Sequence, residues 1–128
     1  MEITPMQPGE RLVIQGYGRG SFKLAGGEVE GSMLIQATRF EPWPVATPSE
    51  LATDLALAPL RDLAGTIDVL IVGVGPRLVA IDPALRRNLR EAGMACEIMT
   101  TPAACSTYNV LVAEDRRVAA ALIAMPPG

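Results

Sequence analysis

The chain has 128 residues, 49% of them hydrophobic and 20% charged, with a formal net charge of -3. This length suits one domain, and the core must be filled mainly by Ala, Leu, Val and Ile because aromatics reach only 4%. The complete absence of histidine excludes a Ser-His-Asp triad, a Cys-His dyad and a His-ligated metal, and the mild acidity argues against a dedicated nucleic-acid face.

The opening MEITPMQPGERL has no basic start followed by an apolar run, nor the Arg-rich amphipathic pattern of a transit peptide. No stretch reaches the roughly 18–20 apolar residues of a membrane span. A cytoplasmic chain with no integral membrane segment is therefore expected, with Cys96 and Cys105 as reduced thiols whose spacing fits neither a redox pair nor a zinc site. Residues 1–10 and 126–128 are expected to be flexible ends of a single domain spanning 1–128.

The first third reads as β structure. Strands are predicted near Leu12–Tyr17, Ser21–Leu24 and Gly31–Arg39, with a hairpin turn at Gly26-Gly27. Pro42, Pro44 and Pro48 then enforce extended backbone around Trp43. Thr47, Pro48 and Glu50 carry the signature of a capped helix, predicted to bury Leu51, Leu55 and Ala58 and to stop at Pro59.

The second half alternates strands and helices. The near-continuous apolar run Val69–Val74 predicts a central strand buried on both faces. Asp82 caps, Pro83 starts and Gly93 stops the next helix, with Leu85, Leu89 and Ala92 inward and Arg86, Arg87 and Arg90 outward. MACEIM is a short strand. Thr101 is predicted to cap, and Pro102 to start, a helix running to Glu114, and RRVAAALIAM a last buried strand. A β-rich start followed by this alternation argues for an α/β sheet covered on both faces.

Candidate functional residues are few. Gly73 and Gly75 follow the buried strand, where α/β sheets bind ligands, but Leu78 stands where a dinucleotide fingerprint needs its third glycine. A tight strand-end turn explains them more simply. Arg77, Arg86, Arg87 and Arg90 suit an anion, yet a solvated helix face accounts for them more simply. Cys105, in the first turn of its helix with Asn109 at i+4, has no histidine or lysine to activate it, so an inert buried thiol is favoured. Trp43 between two prolines suits an interaction anchor, although a ring folded over the core edge is the simpler reading. Tyr108 is expected in the core, and Asn109 is expected to bind neighbouring loop backbone, the Gly73–Gly75 turn being the nearest candidate.

VLIVGVGP, together with PALRRNLREAGMACEIMTTPAACSTYNVLVAEDRRVAAALI, resembles a family of small uncharacterised domains. That family includes the adipogenesis-associated Mth domain protein and the third assembly factor of mitochondrial respiratory complex I. The resemblance covers nearly the whole chain, with GYGRGSFKLAGGEVEGSMLI fitting more loosely. It implies a three-layer α/β fold: a mixed central sheet covered by helices, and an additional N-terminal β layer. The family has no agreed catalytic activity, so the resemblance carries over no catalytic residues and no cofactor, and the signature positions Gly73, Gly75, Thr107, Tyr108 and Asn109 all have structural explanations. The expected role is a non-catalytic protein-interaction or assembly module with a protein partner, and a homodimer is expected because the domain is small, apolar and weakly charged. The alternative is a small-molecule or anion-binding protein, or an enzyme, with a site lined by Gly73, Gly75, Arg77, Thr100 and Asn109.

Overall fold

The computed structural model describes residues 11–126; the expectation for residues 1–10 and for 127–128 lies outside them. In chain order the elements are β1 Gly16–Gly18, β2 Ser21–Leu24, β3 Gly27–Glu30, β4 Met33–Gln36, β5 Arg39–Pro42, α1 Asp54–Arg61, β6 Val69–Gly73, α2 Pro83–Glu91, β7 Ala95–Met99, α3 Thr101–Ala113 and β8 Val118–Leu122. Strands β1, β2 and β3 form a small antiparallel sheet. The central sheet has the order β5-β4-β8-β6-β7. In it β6 is parallel to both neighbours, and β4 is antiparallel to β5 and β8.

The pleat of the central strands sorts the core into two halves. Leu70, Val72, Ala119, Ala121 and Leu34 face a layer containing Leu57, Leu60, Leu85 and Leu89 of α1 and α2. Ile71, Ala120, Leu122, Met33 and Ile35 face α3 and the small sheet, whose Phe22, Leu24 and Val29 close that side. Three consecutive alanines in β8, all fully buried, let these layers approach closely. The expected α/β layering, with an additional N-terminal β layer, is what the chain forms.

Several element boundaries differ from expectation. The first strand is only Gly16–Gly18, because residues 12–15 are held mainly by distant groups, with Leu12 N–H donating to Ala37 O. The predicted strand Gly31–Arg39 is instead a hairpin: β4 turns at Ala37-Thr38 and returns as β5. The expected hairpin forms one residue earlier, with Ala25-Gly26 as its turn and Gly27 already paired with Leu24 in β3, and Gly26 takes φ +90 where a side chain would be strained.

The capping carboxylate of Glu50 does accept from the N–H groups of Ala46 and Thr47, at 2.8 and 2.9 Å, but it closes only one 3₁₀ turn, Pro48–Glu50. The helix restarts at Asp54 under a new cap, Thr53, whose Oγ1 accepts from Ala56 N–H. That restart shifts the buried phase to Ala56, Leu57 and Leu60, leaving Leu55 at 73% exposure and Ala58 exposed. Pro59 stays inside the helix rather than ending it. The bond its missing N–H would have made belongs to Leu55, on the solvent side, where the loss is tolerated. Trp43 is buried at 3% exposure, and its indole N–H donates to Ala56 O at 3.1 Å. Its ring is part of the core rather than a displayed anchor. Among the described residues no helix is long and apolar enough to cross a membrane.

Candidate strand-end site

The carboxyl end of β6 is built around one threonine. Thr101 is fully buried at the start of α3. Its N–H donates to Gly75 O at 2.8 Å, its Oγ1 accepts from Gly75 N–H at 2.8 Å, and its hydroxyl donates to Ile123 O at 2.7 Å. One side chain thus joins the turn after β6, the first turn of α3 and the end of β8. Thr100, not Thr101, is the N-cap, accepting from Ala103 N–H. The two glycines before this junction have separate reasons. A Cβ on Gly73 would stand 3.0 Å from Leu122 Cδ2 and from Thr101 Cα and Oγ1, so glycine permits the helix to sit on the strand. Gly75 takes φ +99, open to glycine and strained for other residues.

Further along α3, two polar side chains reach back to the segment before β1. Tyr108 is fully buried and donates its hydroxyl to Leu12 O at 2.8 Å. Asn109 pairs with the backbone of Ile14 through both amide atoms, Oδ1 accepting from the N–H and Nδ2 donating to the carbonyl, each at 2.8 Å. This corrects the expected pairing with the Gly73–Gly75 turn, whose amide is taken by Thr101. Desolvation pushes the Cys105 thiol up from an ordinary value of 9.0 to about 12, and raises the Tyr108 phenol well above its usual range.

Both groups stay neutral in the folded chain at pH values where the unfolded chain would ionise them. Their contribution is fully present below the unfolded values and is lost as pH rises from about 9 towards 12. Urea unfolding is expected to show stability falling across that window, and a thiol reagent at pH 7 is expected to modify Cys105 far more slowly than free cysteine. Modification as fast as free cysteine would restore the nucleophile reading.

Beyond the ends of β6 and β8 lies a cavity of about 450 Å³, walled by Ala46, Pro48, Val74, Pro76, Ile123 and Met125, with Gly75 and Ser32 also at its surface. Of the five residues predicted to hold a ligand, only Gly75 lines it. Gly73 lies behind it under Thr101, Arg77 is exposed, Thr100 caps α3 and Asn109 holds Ile14. Neither Thr101 nor Ser32 was identified from the sequence: the doublet Thr100-Thr101 signals a cap without saying which residue serves, and Ser32 carries no local signal.

A second hollow, of about 390 Å³, lies at the opposite end of the strands beside Arg11, Asp115, Arg116 and Arg117. Its charges form exposed pairs, Arg11 with Asp115 and Arg117 with Asp68, each at 2.8 Å, of the kind worth little to stability. Among the described residues no three His, Cys, Asp or Glu side chains are grouped to hold a metal ion.

Residues 14–123 match the family described as Protein of unknown function (DUF498/DUF598). An uncharacterised protein of Rhodobacter capsulatus is 39% identical over 126 residues, which is 97% of this chain and 95% of that protein. NADH dehydrogenase (ubiquinone) 1 alpha subcomplex assembly factor 3 of Xenopus tropicalis is 33% identical over 118 residues, 92% of this chain but only 63% of that longer protein. The crystal structure of an outer membrane protein from Bartonella henselae superposes with a TM-score of 0.82 at 33% identity, covering 91% of this chain and 97% of that one.

Proposed function

Because the chain belongs to the family described as Protein of unknown function (DUF498/DUF598), we propose that it is a non-catalytic protein-binding module that supports the assembly of a larger enzyme. The enzyme class is suggested by relatives named as NADH dehydrogenase assembly factors. The observation that carries this reading is the outer face of α3. The helix has thirteen residues and not one charge. Its solvent side runs Ala103, Ser106, Val110 and Ala113, with Val110 at 58% exposure. An uncharged helix face that displays valine and alanine offers an apolar surface to a partner, and here that face is bare. Thr101, Tyr108 and Asn109 of α3 are committed to the fold by hydrogen bonds, and the chain has no histidine to act as a general base.

Deletion of the gene in its native organism is expected to lower the amount of assembled NADH dehydrogenase on native gels. Val110→Glu is expected to fold with an unchanged urea midpoint, since the position is exposed. It should weaken capture of the partner subunit by about tenfold or more, because a carboxylate forced into an apolar contact is heavily penalised. Full assembly in the deletion strain would end this reading.

A further inference from the structure

The cavity at the ends of β6 and β8 uses none of the exposed α3 residues, and its chemistry is more selective than its shape. Its volume of about 450 Å³ lies within the roughly 300–1,000 Å³ of small-molecule sites. It opens beyond the carboxyl ends of two adjacent parallel strands, where open α/β sheets hold ligands. No residue lining it is ionisable. Most of the backbone donors around it are spent within the chain. Gly20 N–H donates to Met125 O, Gly31 to Gly20 O, Val74 to Met99 O and Ile123 to Gly73 O, at 2.7–3.0 Å. Gly75 donates to Thr101 Oγ1 and Ala124 to Ser32 Oγ.

Ser32 is the exception. It is only 9% exposed and lines the cavity. Its Oγ accepts from Ala124 N–H at 2.9 Å, while its own proton has no acceptor among the described residues. A hydroxyl carries one proton and two lone pairs, so this wall presents the Ser32 proton as an uncommitted donor among mostly apolar groups, whereas the other lining hydroxyl, Thr47 Oγ1, is engaged with Ser49 Oγ at 2.8 Å. An anion would surrender its hydration for few donors and no positive charge, and a cation would meet no lining carboxylate. An inserted peptide would bring an N–H and a C=O with each residue, which a wall of mostly spent backbone cannot satisfy in full.

We infer that this cavity binds a small, neutral, largely apolar molecule through a carbonyl or ether oxygen that accepts the Ser32 proton. Ala46 is exposed at the rim and Pro48, Pro76 and Met125 supply the apolar walls. The site is independent of the partner-binding proposal, which concerns α3.

The test uses the whole chain and two neutral fluorescent probes: Nile red, which has a carbonyl, and pyrene, which has no acceptor. Saturable one-to-one binding of both is expected. Ala46→Trp, which fills the mouth from an exposed position, should weaken both by about tenfold or more. Ser32→Ala should weaken Nile red about fivefold, the worth of one neutral hydrogen bond, and leave pyrene within about twofold. Thermal unfolding of each variant, with and without probe, separates lost binding from lost fold. Absence of saturable binding would overturn the proposal, as would binding unaffected by Ala46→Trp. So would Ser32→Ala weakening both probes equally. Loss of partner capture by Ala46→Trp, with no probe binding to the unaltered chain, would mark the cavity as a protein contact and overturn it too.

Discussion

Tyr108→Ala is expected to lower stability by about 3–5 kcal/mol in urea unfolding, in the range of large aromatic truncations in cores. The ring is fully buried among residues from β4, β6, β8 and the small sheet, so its loss leaves a cavity that several elements line. Its hydroxyl also holds Leu12 O, ninety-six residues away. Tyr108→Phe isolates that second role. It keeps the packing and deletes one buried bond, at an expected cost of about 1–2 kcal/mol. In both variants amide exchange at Ile14 should quicken, because Leu12 and Ile14 are tethered to adjacent positions of α3. A loss below about 1 kcal/mol for Tyr108→Ala would mean that the ring is not the packing centre of this face.

Thr101→Val is expected to cost about 2–5 kcal/mol although the two side chains have nearly the same shape. The hydroxyl serves two buried backbone groups at once, accepting from Gly75 N–H and donating to Ile123 O. Its removal leaves both without partners, at about 1–3 kcal/mol for each buried group left unsatisfied. Thr101→Ser retains the hydroxyl and should lose only about 1 kcal/mol, the worth of a buried methyl. The pair is informative because the two variants differ in opposite features. If serine proved as damaging as valine, packing rather than hydrogen bonding would hold α3 to the strand end.

The local patterns of the chain were enough to establish β6, β8 and α2. Each announces itself within a dozen residues: an unbroken apolar run for a strand covered on both faces, and Asp82-Pro83 and Gly93 at the two ends of a helix. Their alternation implied layers on both sides of a sheet, and the lack of histidine restricted the chemistry without any knowledge of geometry. The phase of α1 was hidden because two capping signals lie six residues apart, and burial of Leu51, Leu57 and Leu60 chose the second for the helix. The β4–β5 hairpin was hidden because its turn, Ala37-Thr38, lacks glycine and proline. The site depended most on tertiary structure. Thr101 acquires its role only when β8 brings Ile123 beside Gly75, Asn109 only when the chain returns Ile14 to α3, and Ser32 only when Ala124 arrives to use its oxygen but not its proton. These bonds join residues far apart in the chain, and a hydrogen-bonding side chain carries no local mark of the distant partner that will satisfy it.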